Sequence, residues 1–237
     1  MGLSHSPRIV TDGLVLCLDA GNTKSYNTGI STTAWNDLSG LGNNGTLTNG
    51  PTFNSANGGS LSFDGTDDHV NCGNADSLNF GLGDFTVSVW FKRNTNPTVN
   101  LRILSKGGTN DTVSEAGFAF FGSDSGISFI TNLTGTRQSI GDTPITVGQW
   151  TNLVGVLKRD DGQFLYKNGL LSVQLNYSSF TSTGSASGEK SLFIGKASGV
   201  NQLVWDGNIS QVSIYNRALT AAEVQQNFNA LRSRYGI

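Results

Sequence analysis

Glutamate is scarce in this chain. Glu115, Glu189 and Glu223 are the only three in 237 residues, and each stands alone. Cleavage of a glycosidic bond needs two carboxyl groups held about 5–5.5 Å apart for retention, or about 6.5–9.5 Å for inversion. Adjacent aspartates, Asp67 with Asp68 and Asp160 with Asp161, point to opposite faces if they lie in a strand and are solvated if they lie in a turn. Histidine is equally sparse: His5 and His69 are the two, and neither sits by a strained nucleophile turn. There is no zinc-ligand spacing, no Walker loop and no G-x-G-x-x-G after a strand. The chain is therefore expected not to be an enzyme.

Other shortages exclude other classes. Two cysteines, Cys17 and Cys72, do not make a disulfide framework, and free buried thiols are the expected state. Charged residues are 14 % of the chain and the net charge is −2, so no basic patch exists to release counterions from nucleic acid. No apolar run reaches the eighteen residues of a membrane span. The apolar run at 14–18 is too short, and lacks the basic flank, to read as a secretory signal.

What is plentiful is glycine, at 31 residues, together with Ser, Thr and Asn. Clusters of Val, Ile, Leu and Phe recur between these turn formers, the pattern of many short strands around one core. Residues 85–91 alternate cleanly. Phe85, Val87, Val89 and Phe91 share one face, while Thr86, Ser88 and Trp90 share the other. Further strands are expected at 14–19, 103–104, 118–120, 127–129, 150–157, 191–194 and 209–215. A hairpin is expected at 163–175, where Asn168-Gly169 supplies the positive-φ pair of a type I′ turn. Residues 20–53 read as a long surface excursion pinned by Trp35 and Leu38. Thr220-Ala221-Ala222-Glu223 is a capping box, and Val224, Phe228 and Leu231 form the apolar stripe of a helix over 220–234. The fold class implied is all-β, a two-sheet antiparallel sandwich with a C-terminal α-helix. It is read as one domain over residues 1–237, with 1–13 as an extended arm.

The stretch S-L-S-F-D-G-T-D-D-H-V at 60–70 is a short strand that runs into an acidic turn. Asp64, Asp67 and Asp68 fall within five residues on a glycine-containing turn. They could offer oxygen ligands to a hard cation, or be an ordinary solvated turn, since Asp and Gly are what turns use. His69 reads as a surface residue of that turn.

L-x-F-D-G-x-x-D-x-V resembles the opening signature of the laminin G-like, concanavalin A-like lectin/glucanase superfamily. Matching segments follow in order: F-T-V-S-V-W-F-K at 85–92, I-L-S-K-G at 103–107, L-Y-K-N-G at 165–169 and F-I-G-K at 193–196. The most specific is W-D-G-N-I-S-Q-V-S-I-Y-N-R-A-L-T-A-A-E-V at 205–224. The resemblance implies a jelly-roll sandwich. It also implies a calcium ion at the rim, with Asp64 and Asp67 as ligands and Asp206 approaching them from the last long strand. The glucanase branch carries an E-x-D-x-E strand, which is absent from this chain.

Binding remains. Sugars are commonly held by an aromatic platform beside amide and carboxylate groups. Trp35, Tyr26, Trp205 and Tyr177 are the candidates, each near Asn, Asp or Ser, with Trp205 expected at the rim beside the Asp64 turn. Trp90 and Trp150 lie inside strands and read as core. The lead-in G-L-V-L-x-L-D-A at 13–20 resembles that of structural proteins of tailed bacteriophages. The resemblance implies a virion-surface protein, a head decoration or tail component. Its partners would be capsid or tail proteins, its own copies (a homo-oligomer, most simply a trimer) and cell-surface glycans. The lack of an export signal favours that class. A bacterial carbohydrate-binding lectin at the cell surface or outside the cell is the alternative, and a glycan hydrolase the remote one.

Overall fold

The alternation over residues 85–91 determines which way the chain turns its apolar side. In the computed structural model, which describes residues 7–96, 101–107, 116–123, 126–133, 136–176, 185–198 and 203–237, Phe85, Val87, Val89 and Phe91 point into the space between two antiparallel sheets. The opposite face, with Trp90, points out beneath a helix.

The first sheet is built from β1 (Leu14–Asp19), β4 (Thr52–Asn54), β5 (Ser60–Asp64), β7 (Phe85–Arg93), β12 (Thr151–Lys158), β13 (Gly162–Lys167), β14 (Leu170–Asn176) and β16 (Asp206–Tyr215). Its order is β14-β13-β12-β7-β16-β5-β4, and β1 also pairs with β16. The second sheet contains β2 (Ala34–Trp35), β3 (Gly45–Thr48), β6 (His69–Asn71), β8 (Leu101–Lys106), β9 (Gly117–Gly122), β10 (Ile127–Leu133), β11 (Thr136–Thr143) and β15 (Leu192–Ile194). Its order is β11-β10-β9-β8-β15-β6-β3-β2. This is the expected all-β sandwich, with one helix, α1 (Ala221–Leu231), after the last strand.

The ten-residue strand β16 is the spine of the first sheet. One edge pairs with β7 along nearly its whole length. The other edge is shared end to end, with Asp206 to Ile209 opposite β5 and Gln211 to Tyr215 opposite β1. Ser210 lies at the joint, where the register with β7 shifts. Its carbonyl accepts from Ala20 N at 2.9 Å, and its hydroxyl donates to Gly59 O at 2.6 Å. Gly21 must be glycine there, because an added Cβ would lie 1.9 Å from Gly58 O.

Between the sheets, Phe85 meets Phe118 at 5.1 Å and Phe120 meets Phe129 at 5.3 Å. Full burial of each such ring contributes about 1.5–3 kcal/mol. Gly155 on β12 makes room for Phe129, whose ring lies 2.5 Å from where a Cβ would stand. The Asn168-Gly169 turn forms as expected, with φ of 50° and 78°. Both cysteines are buried and free.

Residues 20–53 depart from the expected excursion. Trp35 is fully buried and pins the segment, yet the chain also supplies β2, β3 and β4. Gly45–Thr48 adds to the second sheet through β6. The two- to four-residue strands here carry too few apolar positions for period 2 to show.

The helix closes the first sheet from outside. Thr220 Oγ1 accepts from Glu223 N and the Glu223 carboxylate accepts from Thr220 N, the expected capping box. Arg217 holds the same carboxylate bidentately, at 3.0 and 2.6 Å. Below it, Trp90 is stacked between Phe228 at 5.6 Å and Tyr235 at 4.1 Å. The expected helix ends early: its last residues, from Arg232 to Arg234, belong to a 3-10 turn, Arg232–Tyr235. The segment before β1 is tied down as well: Asn227 Oδ1 accepts from Val10 N at 2.7 Å, and Tyr215 donates its hydroxyl proton to Val10 O at 3.0 Å.

Truncating Phe228 to alanine should therefore cost about 3–5 kcal/mol in a denaturant titration. Thr220→Ala should cost roughly 1 kcal/mol. The Arg217 guanidinium and the cap lower the Glu223 pKa to about 2. Because this carboxyl is depressed in the folded state, its contribution is present above its ordinary value and is lost as pH falls from about 4.5 towards 2. Glu223→Gln should flatten that part of the stability profile, and an unchanged acid limb would show that the ion pair contributes nothing.

Candidate functional site

The acidic turn follows from the end of β5. Gly65, at φ 75°, turns the chain back towards β6, and this brings Asp64, Asp67 and Asp68 together. Oxygen atoms of the three carboxylates all lie within 4.8 Å of one another. Asp64 and Asp67 are exposed, whereas Asp68 is buried. The turn is held by its own side chains: Asp68 Oδ2 accepts from Asp64 N at 3.0 Å, and Asp64 Oδ1 accepts from Thr66 N at 2.8 Å. Burial raises the Asp68 pKa, and the charges of Asp64 and Asp67 push it further the same way, against the hydrogen bond from Asp64 N. Among the described residues none of the three joins a salt bridge. A hard divalent cation is the chemistry this donor set suits. It would offset the mutual repulsion, and the two exposed carboxylates leave an open side for water.

Asp206 does not belong to this cluster. The register places it opposite Asp64, as expected for the last long strand. Its carboxylate is taken by Asn94 Nδ2 at 2.9 Å and Thr95 Oγ1 at 2.8 Å, fastening the exit of β7. Asp68 supplies the third carboxylate in its place; the D-x-x-D-D spacing contained that signal. His69 is not on the surface either. It is buried on β6, with Nδ1 2.9 Å from Asp67 O and its ring edge-on to Phe193.

The expected aromatic platform is not assembled. Trp35 is 0 % exposed and belongs to the core. Trp205 is 1 % exposed and packs edge-on against Phe91 at 5.5 Å, inside the sandwich rather than at its rim. Tyr26 is 4 % exposed, with its ring stacked on Phe53 at 5.4 Å. Tryptophan brings so much apolar area that a polar sequence neighbourhood does not keep it at the surface. Tyr177 lies outside the described residues.

Two surface clefts were not foreseen. One, of about 440 Å³, is lined by Thr23, Lys24, Asn27, Ile30, Ser31, Ala34 and Asn36. The other, of about 500 Å³, lies where the 3-10 turn Arg232–Tyr235 meets the outer face of the first sheet. Asn57, Lys92, Gln149, Trp150, Asn168 and Tyr235 line it. Among the described residues neither cleft is lined by an Asp or Glu side chain. The second cleft draws on segments far apart in sequence, which no local motif announces, whereas the first lies within residues 23–36, whose polar, turn-forming composition reads only as a loop.

The buried nucleophiles are accounted for by packing. Burial pushes the thiols up, Cys17 to about 11 and Cys72 to about 12, so both stay protonated. Lys106, fully buried, has its pKa lowered by burial to about 8, and it spends its protons on Asn74, Gly188 O and Lys190 O.

The crowding of three carboxylates has a measurable consequence. In EDTA at neutral pH, Asp68→Asn should unfold at the same temperature as the parent or higher. The amide oxygen can still accept from Asp64 N, while a buried, repelled charge is removed. A large loss of stability would show that the Asp68 charge itself is needed.

Comparison with known proteins adds a family and a set of folds. Residues 64–225 match the model of the concanavalin A-like lectin/glucanases superfamily. Comparison with curated proteins finds none that matches. Among solved structures, the binding domain of Paraclostridial Mosquitocidal Protein 1 superposes with a TM-score of 0.72 at 18 % identity, covering 93 % of this chain and 52 % of that one. The receptor binding domain of botulinum neurotoxin C/D mosaic serotype superposes at 0.70, with 14 % identity and coverage of 92 % and 51 %. The botulinum neurotoxin serotype D ligand binding domain, solved with N-acetylneuraminic acid, gives 0.68 at 14 % identity, covering 92 % and 51 %. This chain thus spans about half the length of each, and at such identities the likeness is one of fold. These neighbours are binding domains of clostridial toxins, not phage proteins. By its sequence over residues 64–225 and by its two-sheet architecture, the chain belongs to the concanavalin A-like lectin/glucanases superfamily.

Proposed function

We propose that this protein is a non-enzymatic, lectin-like binding module that recognises glycans on a surface. The observation that carries the reading is the lining of the two clefts: amide and hydroxyl side chains, one lysine each and no Asp or Glu side chain. Side-chain amides and hydroxyls recognise sugar hydroxyls, and hydrolysis of the same sugars would need a carboxyl pair beside them. The solved neighbours support binding over catalysis, since they are receptor or ligand binding domains, one of them solved with a sugar acid. A single site of this kind binds weakly. Copies held together, as a trimer or on a lattice, would gain avidity without new contacts.

The acidic turn is assigned to calcium within this proposal, with Asp64, Asp67 and Asp68 as side-chain ligands. Bound ion would stabilise the loop between β5 and β6 by mass action. Millimolar calcium should raise the melting temperature over that in EDTA, and Asp68→Asn should abolish most of the rise. Equal melting temperatures in calcium and EDTA would remove the metal from the account.

A virion surface is the second placement. It is favoured by the 13–20 lead-in, which forms β1 and is zipped to β16 as an integral strand. Immunogold labelling that finds the protein in cells and never on particles would exclude it. For the binding function itself, a glycan array probed with the purified chain should show a small set of related positives. An array silent at high protein loading, with the chain folded, would overturn the lectin reading.

A further inference from the structure

The cleft beside Trp150 has one charged side chain in its lining, Lys92. The ammonium stands 5.6 Å from the centre of the Trp150 ring, a cation–π contact that holds it at the wall. Among the described residues no carboxylate forms an ion pair with it. No Asp or Glu side chain is part of the lining.

The rest of the wall consists of unspent hydrogen-bonding groups. The side chains of Asn57 and Gln149 make no hydrogen bond among the described residues, and Gln149 is exposed. Asn168 Oδ1 accepts from Asn152 N at 2.9 Å, which fixes the amide and leaves its Nδ2 as a donor. Trp150 itself is buried against Tyr235 at 4.8 Å, so it acts as the support of Lys92 and not as an open stacking face. The supports are rigid: Lys92 is on β7 in the middle of the first sheet, and Asn168 is in the tight hairpin turn beneath Phe228. The volume, about 500 Å³, falls in the range of about 300–1,000 Å³ that small-ligand sites span.

We propose that this cleft binds a saccharide bearing one carboxylate, with Lys92 Nζ paired to the carboxylate and the amides of Asn57, Gln149 and Asn168 on the hydroxyls. The proposal rests on the glycan-binding reading and deepens it, naming a site and an acidic ligand class. Lysine suits this task as a point charge that needs no fixed fork of acceptors.

The experiment uses the full chain and two pairs of probes: N-acetylneuraminic acid and glucuronic acid as acids, N-acetylglucosamine and glucose as neutral sugars. Calorimetry and the indole N–H resonance of Trp150 give the readouts. The acids should bind at least tenfold more tightly than the neutral sugars, move the Trp150 resonance, and weaken as salt is raised. Lys92→Gln, which keeps most of the stem, should remove that preference while its melting curve matches the parent. Gln149→Ala, an exposed change that spares the fold, should weaken all sugars that bind. Acid binding that is unchanged in Lys92→Gln, or acids that leave the Trp150 resonance still, would overturn the proposal. If the array is positive and identical for the parent and Lys92→Gln, the lectin reading stands and this cleft is not its site. An array silent for both overturns the two together.

Discussion

The pairing of β16 is the constraint on which the structure depends. Ten residues satisfy three neighbours, with β7 on one edge and β5 and β1 end to end on the other. Buried backbone groups must be paired, so the seam between β5 and β1 is the critical point. It is closed by Ser210, whose hydroxyl also accepts from Arg234 Nη2 and from the Tyr235 hydroxyl, both at 2.9 Å. Arg234 reaches on to Gly59 O and pairs with Asp19 at 2.8 Å. The segment after α1 thereby ties the ends of the two short strands together, and the helix is part of the sheet's closure rather than an appendage.

That arrangement also makes the candidate sites. The register of β16 with β5 sets Asp206 opposite Asp64, and the use of Asp206 by Asn94 and Thr95 leaves the acidic cluster to Asp64, Asp67 and Asp68. At the helix side, the stack Phe228–Trp90–Tyr235 sets the height of the 3-10 turn over the sheet, and the larger polar cleft opens at its edge. Both sites are preformed features of a rigid frame. This suits binding by fixed complementarity, with little ordering of the protein to offset.

The sequence showed the frame better than the sites. Period 2 at 85–91, the Asn-Gly turn and the capping box are local signals, each with one physical cause, and all three are present as expected. Strands of two to four residues, such as Ala34–Trp35, leave no period to see. The aromatic candidates failed for a different reason. Trp35, Tyr26 and Trp205 have polar neighbours in sequence, but burial is decided by neighbours in space, and the core takes all three. Asp68 was visible as the third carboxylate of the turn, yet whether it or Asp206 completes the cluster depends on where Asn94 and Thr95 lie. The cleft beside Trp150 gathers residues from five segments, so nothing short in the sequence could announce it, and the other lies within residues 23–36, a stretch whose composition reads only as a loop.

A member of a superfamily that holds both lectins and glucanases must be assigned by its residues, not by its fold. Here the one cluster of carboxylates among the described residues lies at the Asp64–Asp68 turn, and no Asp or Glu side chain lines either cleft. On the proposed reading the molecule holds a glycan and returns it unchanged. The direct measurement is mass spectrometry of a glycan selected by the array, recovered after prolonged incubation with excess protein in calcium. The account predicts that every molecule comes back at its starting mass after having been bound. Shortened products that vanish when a single aspartate is changed would contradict it.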